Sequence, residues 1–143
     1  MDLFRNFDIS ASALTAERLR MDLISNNIAN AHTTRTPEGG PYVRKVPVFM
    51  EVIEETINAK GQMVSRAAGV KVVRIKPDES KPRIVYDPAH PDANADGYVL
   101  YPDINPVVEM VNLISASRSY EANVTAFNSA KDMYRAALEI GKA

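Results

Sequence analysis

Residues 92–97 read Asp-Ala-Asn-Ala-Asp-Gly, and Asp103 stands at the twelfth position counted from Asp92. Oxygen-bearing side chains at alternate positions, followed by a glycine turn, are what a calcium loop supplies. On that reading the ligands are Asp92, Asn94, Asp96 and Asp103. The pattern is incomplete. The twelfth ligand is Asp rather than the longer, bidentate Glu, and Asp87-Pro88-Ala89-His90-Pro91 is unfit to form the helix that enters such a loop. Asp and Asn side chains ahead of a glycine also make ordinary turns.

His32 and His90 are the two histidines, one in each of two separate loop-like stretches. A lone histidine serves as a base or ligand only inside a supporting constellation. No second His stands at ligand spacing, and no Gly-x-Ser-x-Gly elbow presents a nucleophile. Gly39-Gly40 is too short for a phosphate loop. Tyr120, Phe127 and Tyr134 suggest an aromatic ligand box, but their spacing of seven marks the seam of a paired helix. The expectation is a protein with no catalytic residues and no cofactor.

Composition supports this. Seventeen Lys and Arg face 18 Asp and Glu, a net charge of -1, with no extended basic run. Nucleic acid requires a clustered basic surface, so it is not an expected partner. There is no polybasic patch for a membrane surface, and no apolar run approaches the ~20 residues of a spanning helix. Cysteine is absent, which removes disulfides and thiolate chemistry. Met1 to Asp8 has neither a basic leader nor a continuous apolar core, so a Sec-type signal peptide is not expected there.

The elements that would carry any site fall into three segments. From Asp8 to Asn30 there is no Gly or Pro. Ile9, Ala16, Leu19 and Leu23 follow one side of a helix, and Leu14, Met21, Ile24 and Ile28 another. Asn26, Asn27 and Asn30 suit the end of that helix. Their amides either simply stop it or bond neighbouring backbone and fix how the next segment leaves.

From Pro106 to Ile140 the signals are stronger. Asn105 is an N-cap, Pro106 fits the first helical position, and Gly141 suits a left-handed C-cap. Leu113, Tyr120, Phe127 and Tyr134 recur every seventh residue, with Met110, Val124 and Leu138 interleaved. At 1.5 Å per residue such a helix is on the order of 50 Å long.

Between them, short β-type runs occur at Tyr42 to Val52, Val70 to Ile75, Ile84 to Tyr86 and Tyr98 to Tyr101, separated by Gly- and Pro-rich turns. The fold class expected is α+β: two long terminal helices pairing as an antiparallel, coiled-coil-like bundle, with a small irregular β module between them. Residues 1–35 and 103–143 would form a discontinuous helical assembly domain, and 36–102 the β-rich module.

The last helix has more apolar surface than one partner covers. Ala122, Ala126, Ala130, Met133, Ala137 and Ile140 form a second stripe beside the aromatic seam. A helix with two apolar stripes needs neighbours on both. Each large apolar side chain left in water forgoes roughly 1.5–3 kcal/mol of burial. Burial against other chains resolves this; the alternative is that the middle module folds back over the stripe. The expected assembly interface comprises Ile9, Ala16, Leu19, Leu23, Asn26, Asn27, Asn30, Met110, Leu113, Tyr120, Val124, Phe127, Tyr134 and Leu138. A calcium-binding module, or an adaptor using the same helices for one partner, is the competing reading.

Ser25-Asn26-Asn27-Ile28-Ala29-Asn30-Ala31-His32-Thr33 resembles the Asn-rich signature of the flagellar axial proteins, the rod, hook and hook-associated subunits. Thr34 to Lys45, Asp87 to Asp92 and the run Gly97 to Asn105 are similar to the proximal rod subunits among them, as is Ser117-Arg118-Ser119-Tyr120-Glu121-Ala122-Asn123 with Phe127-Asn128 and Lys131. The likeness spans nearly the whole chain. It implies a structural subunit of the basal-body rod that polymerises through its terminal helices into a hollow, torque-transmitting shaft crossing the periplasm. It also implies export, uncleaved, through the flagellar type III apparatus. The implied partners are other rod proteins, copies of the chain itself and, during secretion, that apparatus.

Overall fold

Asn105, at φ -97 and ψ 109, accepts hydrogen bonds from the backbone N–H groups of Val107 and Val108 through its side chain, and Pro106 occupies the first turn. This cap starts helix α2 (Pro106–Ile140), 35 residues long. Its far end departs from expectation. Gly141 is right-handed, with φ -75, and its N–H still reaches Ala137, so the helix runs out rather than closing with a left-handed turn.

The computed structural model describes residues 3–57 and 62–141. In chain order the remaining elements are α1 (Leu3–Ala29), β1 (Lys45–Ile57), β2 (Met63–Pro77), β3 (Arg83–Tyr86) and β4 (Tyr98–Tyr101), all preceding α2. The class is α+β, as expected. Helix α1 starts five residues before Asp8, because tertiary contacts hold its first turns. Arg5 donates to the Ala67 carbonyl at 3.1 Å, and the Phe7 ring meets Phe127 edge-on at 5.1 Å.

The middle segment is β-rich, as expected. It forms two separate two-stranded antiparallel sheets, β1 with β2 and β3 with β4. The first is a long hairpin of 13- and 15-residue strands whose ladder runs from Lys45 opposite Pro77 to Ile57 opposite Met63. Two register shifts, at Val48/Phe49 and Val52/Ile53, bend it. Charged residues such as Glu51, Glu54, Glu55, Lys71 and Arg74 interrupt the apolar alternation, so the strands read shorter in sequence than they are.

Phe7 lies against Phe127, while Asn27 donates to Glu109 at 3.1 Å. The two helices therefore lie side by side in opposite directions. Helix α1 is the centre of the molecule, with α2 on one side and both strands of the long hairpin packed on another. Gly69 makes the second contact possible. Its φ is +133, and a Cβ there would collide with the Ser12 hydroxyl. That hydroxyl donates to the Ile9 carbonyl at 2.7 Å and accepts from the Val70 N–H at 3.1 Å, stitching β2 to α1. Ala16, Leu23 and Ile24 are buried in α1, with Ala116 and Ala130 in α2.

The hairpin thus covers a second side of α1, not of α2. Among the described residues the backbone of α2 does not pack against β1 or β2. The alternative in which the middle module folds back over the surplus stripe of α2 is not what the chain does.

Candidate functional site

Three helical and loop segments meet at a buried polar junction where α1 ends and α2 begins. Glu109 and Asn27 are each only 1% exposed. The Glu109 Oε1 accepts from Arg44 Nη2 at 2.8 Å, from Arg44 Nε at 3.2 Å and from Asn112 Nδ2 at 3.1 Å. Its Oε2 accepts from Asn27 Nδ2. Asn27 uses its whole amide: Nδ2 also donates to the Lys45 carbonyl at 2.9 Å, and Oδ1 accepts from the Lys45 N–H at 2.9 Å and the Tyr42 hydroxyl at 3.1 Å.

Arg44 reaches past Glu109 to Asp78 Oδ2 at 3.1 Å, and the Asp78 N–H donates to the Arg44 carbonyl at 2.7 Å. These two residues close the base of the long hairpin just outside the Lys45–Pro77 pair. Burial lowers the guanidinium's pKa, but the hydrogen bonds and charges of Glu109 and Asp78 outweigh it and leave Arg44 above its ordinary value. Burial, then the Glu109 charge, raises the Tyr42 hydroxyl. None of this provides a reacting group; it fastens elements together.

The three signature asparagines divide. Asn27 bonds remote backbone where the next segment leaves. Asn26 and Asn30 bond locally, to the carbonyls of Asp22 at 3.0 Å and Asn26 at 2.9 Å. Arg44 and Glu109 were missed by sequence reasoning. One signal pointed to Glu109: it shares the spacing of Ala116, Asn123 and Ala130, the most shielded track of α2. A carboxylate in that phase needs a buried partner.

Two of the calcium candidates, Asp92 and Asn94, are otherwise engaged, and Asp96 and Asp103 are exposed. Asp92 accepts from Thr34 Oγ1 at 2.8 Å and faces Arg35 at 3.7 Å. Asn94 Oδ1 accepts from the N–H groups of Asp96 and Tyr98, an Asx turn. Among the described residues no three acidic or histidine side chains converge as a metal site. A groove of about 690 Å³ runs beside Asp92 and Asn94, between the loop at Thr34 to Pro41 and the Ile84, Tyr98 and Leu100 side chains. His90 Nδ1 accepts from the Asp92 N–H at 3.1 Å, and His32 is exposed.

Of the expected interface residues, Ala16 and Leu23 are buried, and Ile9, Leu19, Leu113, Tyr120, Val124, Phe127 and Tyr134 are partly covered within the chain. Met110 and Leu138 turn outward, because the inner track of α2 runs through Glu109, Ala116, Asn123 and Ala130 instead. Towards its two ends α2 exposes apolar side chains, while Arg118, Glu121 and Asn128 are among the exposed residues between them. Val107, Val111 and Ile114 are 67%, 61% and 56% exposed, and Met133 and Ile140 stand out near the other end. Among the described residues no helix is long and apolar enough to cross a membrane.

A family profile described as "Flagella basal body rod protein" matches residues 7–35, and one described as "Flagellar basal body rod FlgEFG protein C-terminal" matches 95–140. The flagellar basal-body rod protein FlgC of Bacillus subtilis is 46% identical over 99% of this chain and 100% of its own length. This chain belongs to the FlgC family of flagellar basal-body rod proteins. FlgC of Borreliella burgdorferi is 46% identical over 98% of each chain, and FlgC of Escherichia coli O6:H1 is 40% identical over 99% of this chain and 100% of its own. Membership makes the chain a structural rod protein and not an enzyme. The two profiles cover most of α1 and all of α2, so Asn27 and Glu109 fall inside the matched segments and Arg44 between them.

Proposed function

We propose that this FlgC-family chain polymerises within the rod through its two terminal helices, with the apolar side chains exposed on α2 buried against neighbouring subunits. The observation that carries the reading is the exposure of Val107, Val111 and Ile114 on one side of a 35-residue helix. Contiguous apolar surface rimmed by polar residues marks an interaction site, and the chain's own hairpin spends itself on α1. Helices α1 and α2 pair in the manner of an antiparallel coiled coil, supported by the seven-residue recurrence of Leu113, Tyr120, Phe127 and Tyr134. Residues 1–35 and 103–143 act as the assembly unit and 36–102 as the module it carries.

The partners in this reading are copies of the chain and other rod proteins. The rod crosses the periplasm, and subunits reach it through the flagellar export apparatus; the kinship with flagellar axial proteins supports both points. Interlocked helices resist twist because close-packed seams do not slip without losing contacts.

Complementation of a strain lacking the gene tests the reading. Ile114→Glu is expected to be made and exported but to leave cells non-motile, with basal bodies stopped at the rod. Normal swimming with Val111→Glu and Ile114→Glu combined would mean that this side of α2 is not an interface.

A further inference from the structure

Glu109 stands in the first turn of α2, where a carboxylate is favourable at the helix's positive end while remaining in water. Here it is buried instead. Three groups from three places meet it: Arg44 from the loop before β1, Asn27 from α1 and Asn112 from its own helix. The strands pack on α1, and among the described residues no backbone packing ties the hairpin to α2. Arg44 supplies that tie, and through Asp78 it also closes the hairpin base. A buried carboxylate is tolerated only with its partners in place.

We propose that Arg44 is a conformational interlock: it makes the seating of the first turns of α2 against α1 conditional on closure of the β1–β2 hairpin base, so that helix pair and hairpin move as one rigid body. This goes beyond the assembly reading and does not depend on it. The fork of the guanidinium gives the joint direction as well as strength, because Nε and Nη2 address one carboxylate while Nη1 addresses the other. The far end of the helix pair, at Phe7 and Phe127, lies outside the interlock.

The test uses the purified full-length chain. Its lack of cysteine lets spin labels be placed at Glu54→Cys on the hairpin and Asp132→Cys on α2. The native background is expected to give one narrow distance. Arg44→Ala is expected to broaden it and to raise amide hydrogen exchange at 107–113 about a hundredfold or more, with 124–131 unchanged. Arg44→Lys, which keeps the charge without the fork, is expected to leave the distance broad. A narrow distance with unchanged exchange in Arg44→Ala overturns the interlock, and so does a uniform rise along all of α2. Should Arg44→Ala fail to fold, the double variant Arg44→Met, Glu109→Met removes both charges. It is expected to restore helix protection while the hairpin distance stays broad; a distance as narrow as the native one overturns the proposal.

Discussion

Arg44 and Glu109 are 65 residues apart in the chain and 2.8 Å apart in space. Their surroundings are unequal. The Glu109 side chain is 2% exposed and that of Arg44 23%. Losing either partner therefore has different consequences.

Arg44→Ala strands a carboxylate with only two amides for company, and a broken buried pair costs about 3–5 kcal/mol. Glu109→Ala leaves a guanidinium that still has Asp78 and some water, so its cost is nearer about 1.5–3 kcal/mol. Urea unfolding of both variants measures the order. Glu109→Ala as the more damaging change would contradict the burial argument.

Asn27 and Asn26 adjoin in sequence and differ in effect. Asn27→Ala removes four hydrogen bonds and leaves buried groups unpaired, so it should cost about 2–4 kcal/mol. Asn26→Ala removes one exposed bond to Asp22 and should stay within about 0.5 kcal/mol. Similar urea midpoints for the two variants would refute the account of the junction.

Gly69→Ala imposes a φ of +133 on a side chain and drives its Cβ into the Ser12 hydroxyl. A loss of about 1–3 kcal/mol is expected. Adding Ser12→Ala removes the obstructing hydroxyl and should recover only part of it, because the backbone strain remains and the bond to Val70 is lost. Full recovery in thermal melts would mean that the clash alone mattered.

Tyr42 gives an alkaline signature. Its hydroxyl is held above 10.0 in the folded chain, by burial first and by the Glu109 charge second. The unfolded chain ionises Tyr42 at the ordinary value while the folded chain keeps its proton. The folded state then binds more protons, so stability falls with rising pH. The contribution is complete below about pH 10 and is lost as pH climbs through the folded value. Urea midpoints above about pH 10 should fall more steeply in the native chain than in Tyr42→Phe; parallel slopes would remove Tyr42 from the account.

Much of this was legible in the sequence for local reasons. Asn105-Pro106 announced the start of α2, and Tyr98 to Tyr101 is strand β4 residue for residue. What escaped depends on distant groups. The first turns of α1 are held by Ala67 and Phe127, and polar residues at 5 and 6 gave no helical stripe to read. The long hairpin carries charges on both strands, so alternation under-reports a ladder held by backbone bonds. Aspartates 92 and 96 looked like ligands because turn chemistry and calcium chemistry use the same side chains. The Arg44–Glu109 contact has no local signal at all beyond the phase of Glu109 on its helix.

In the proposed assembly the outer side of α2 is buried only when the chain is among its neighbours. A density map of the assembled rod containing this chain tests it most directly. Val107, Val111 and Ile114 are expected to be packed against adjacent subunits, with the Arg44–Glu109 junction intact inside each copy. A map in which those three side chains face open water would contradict it.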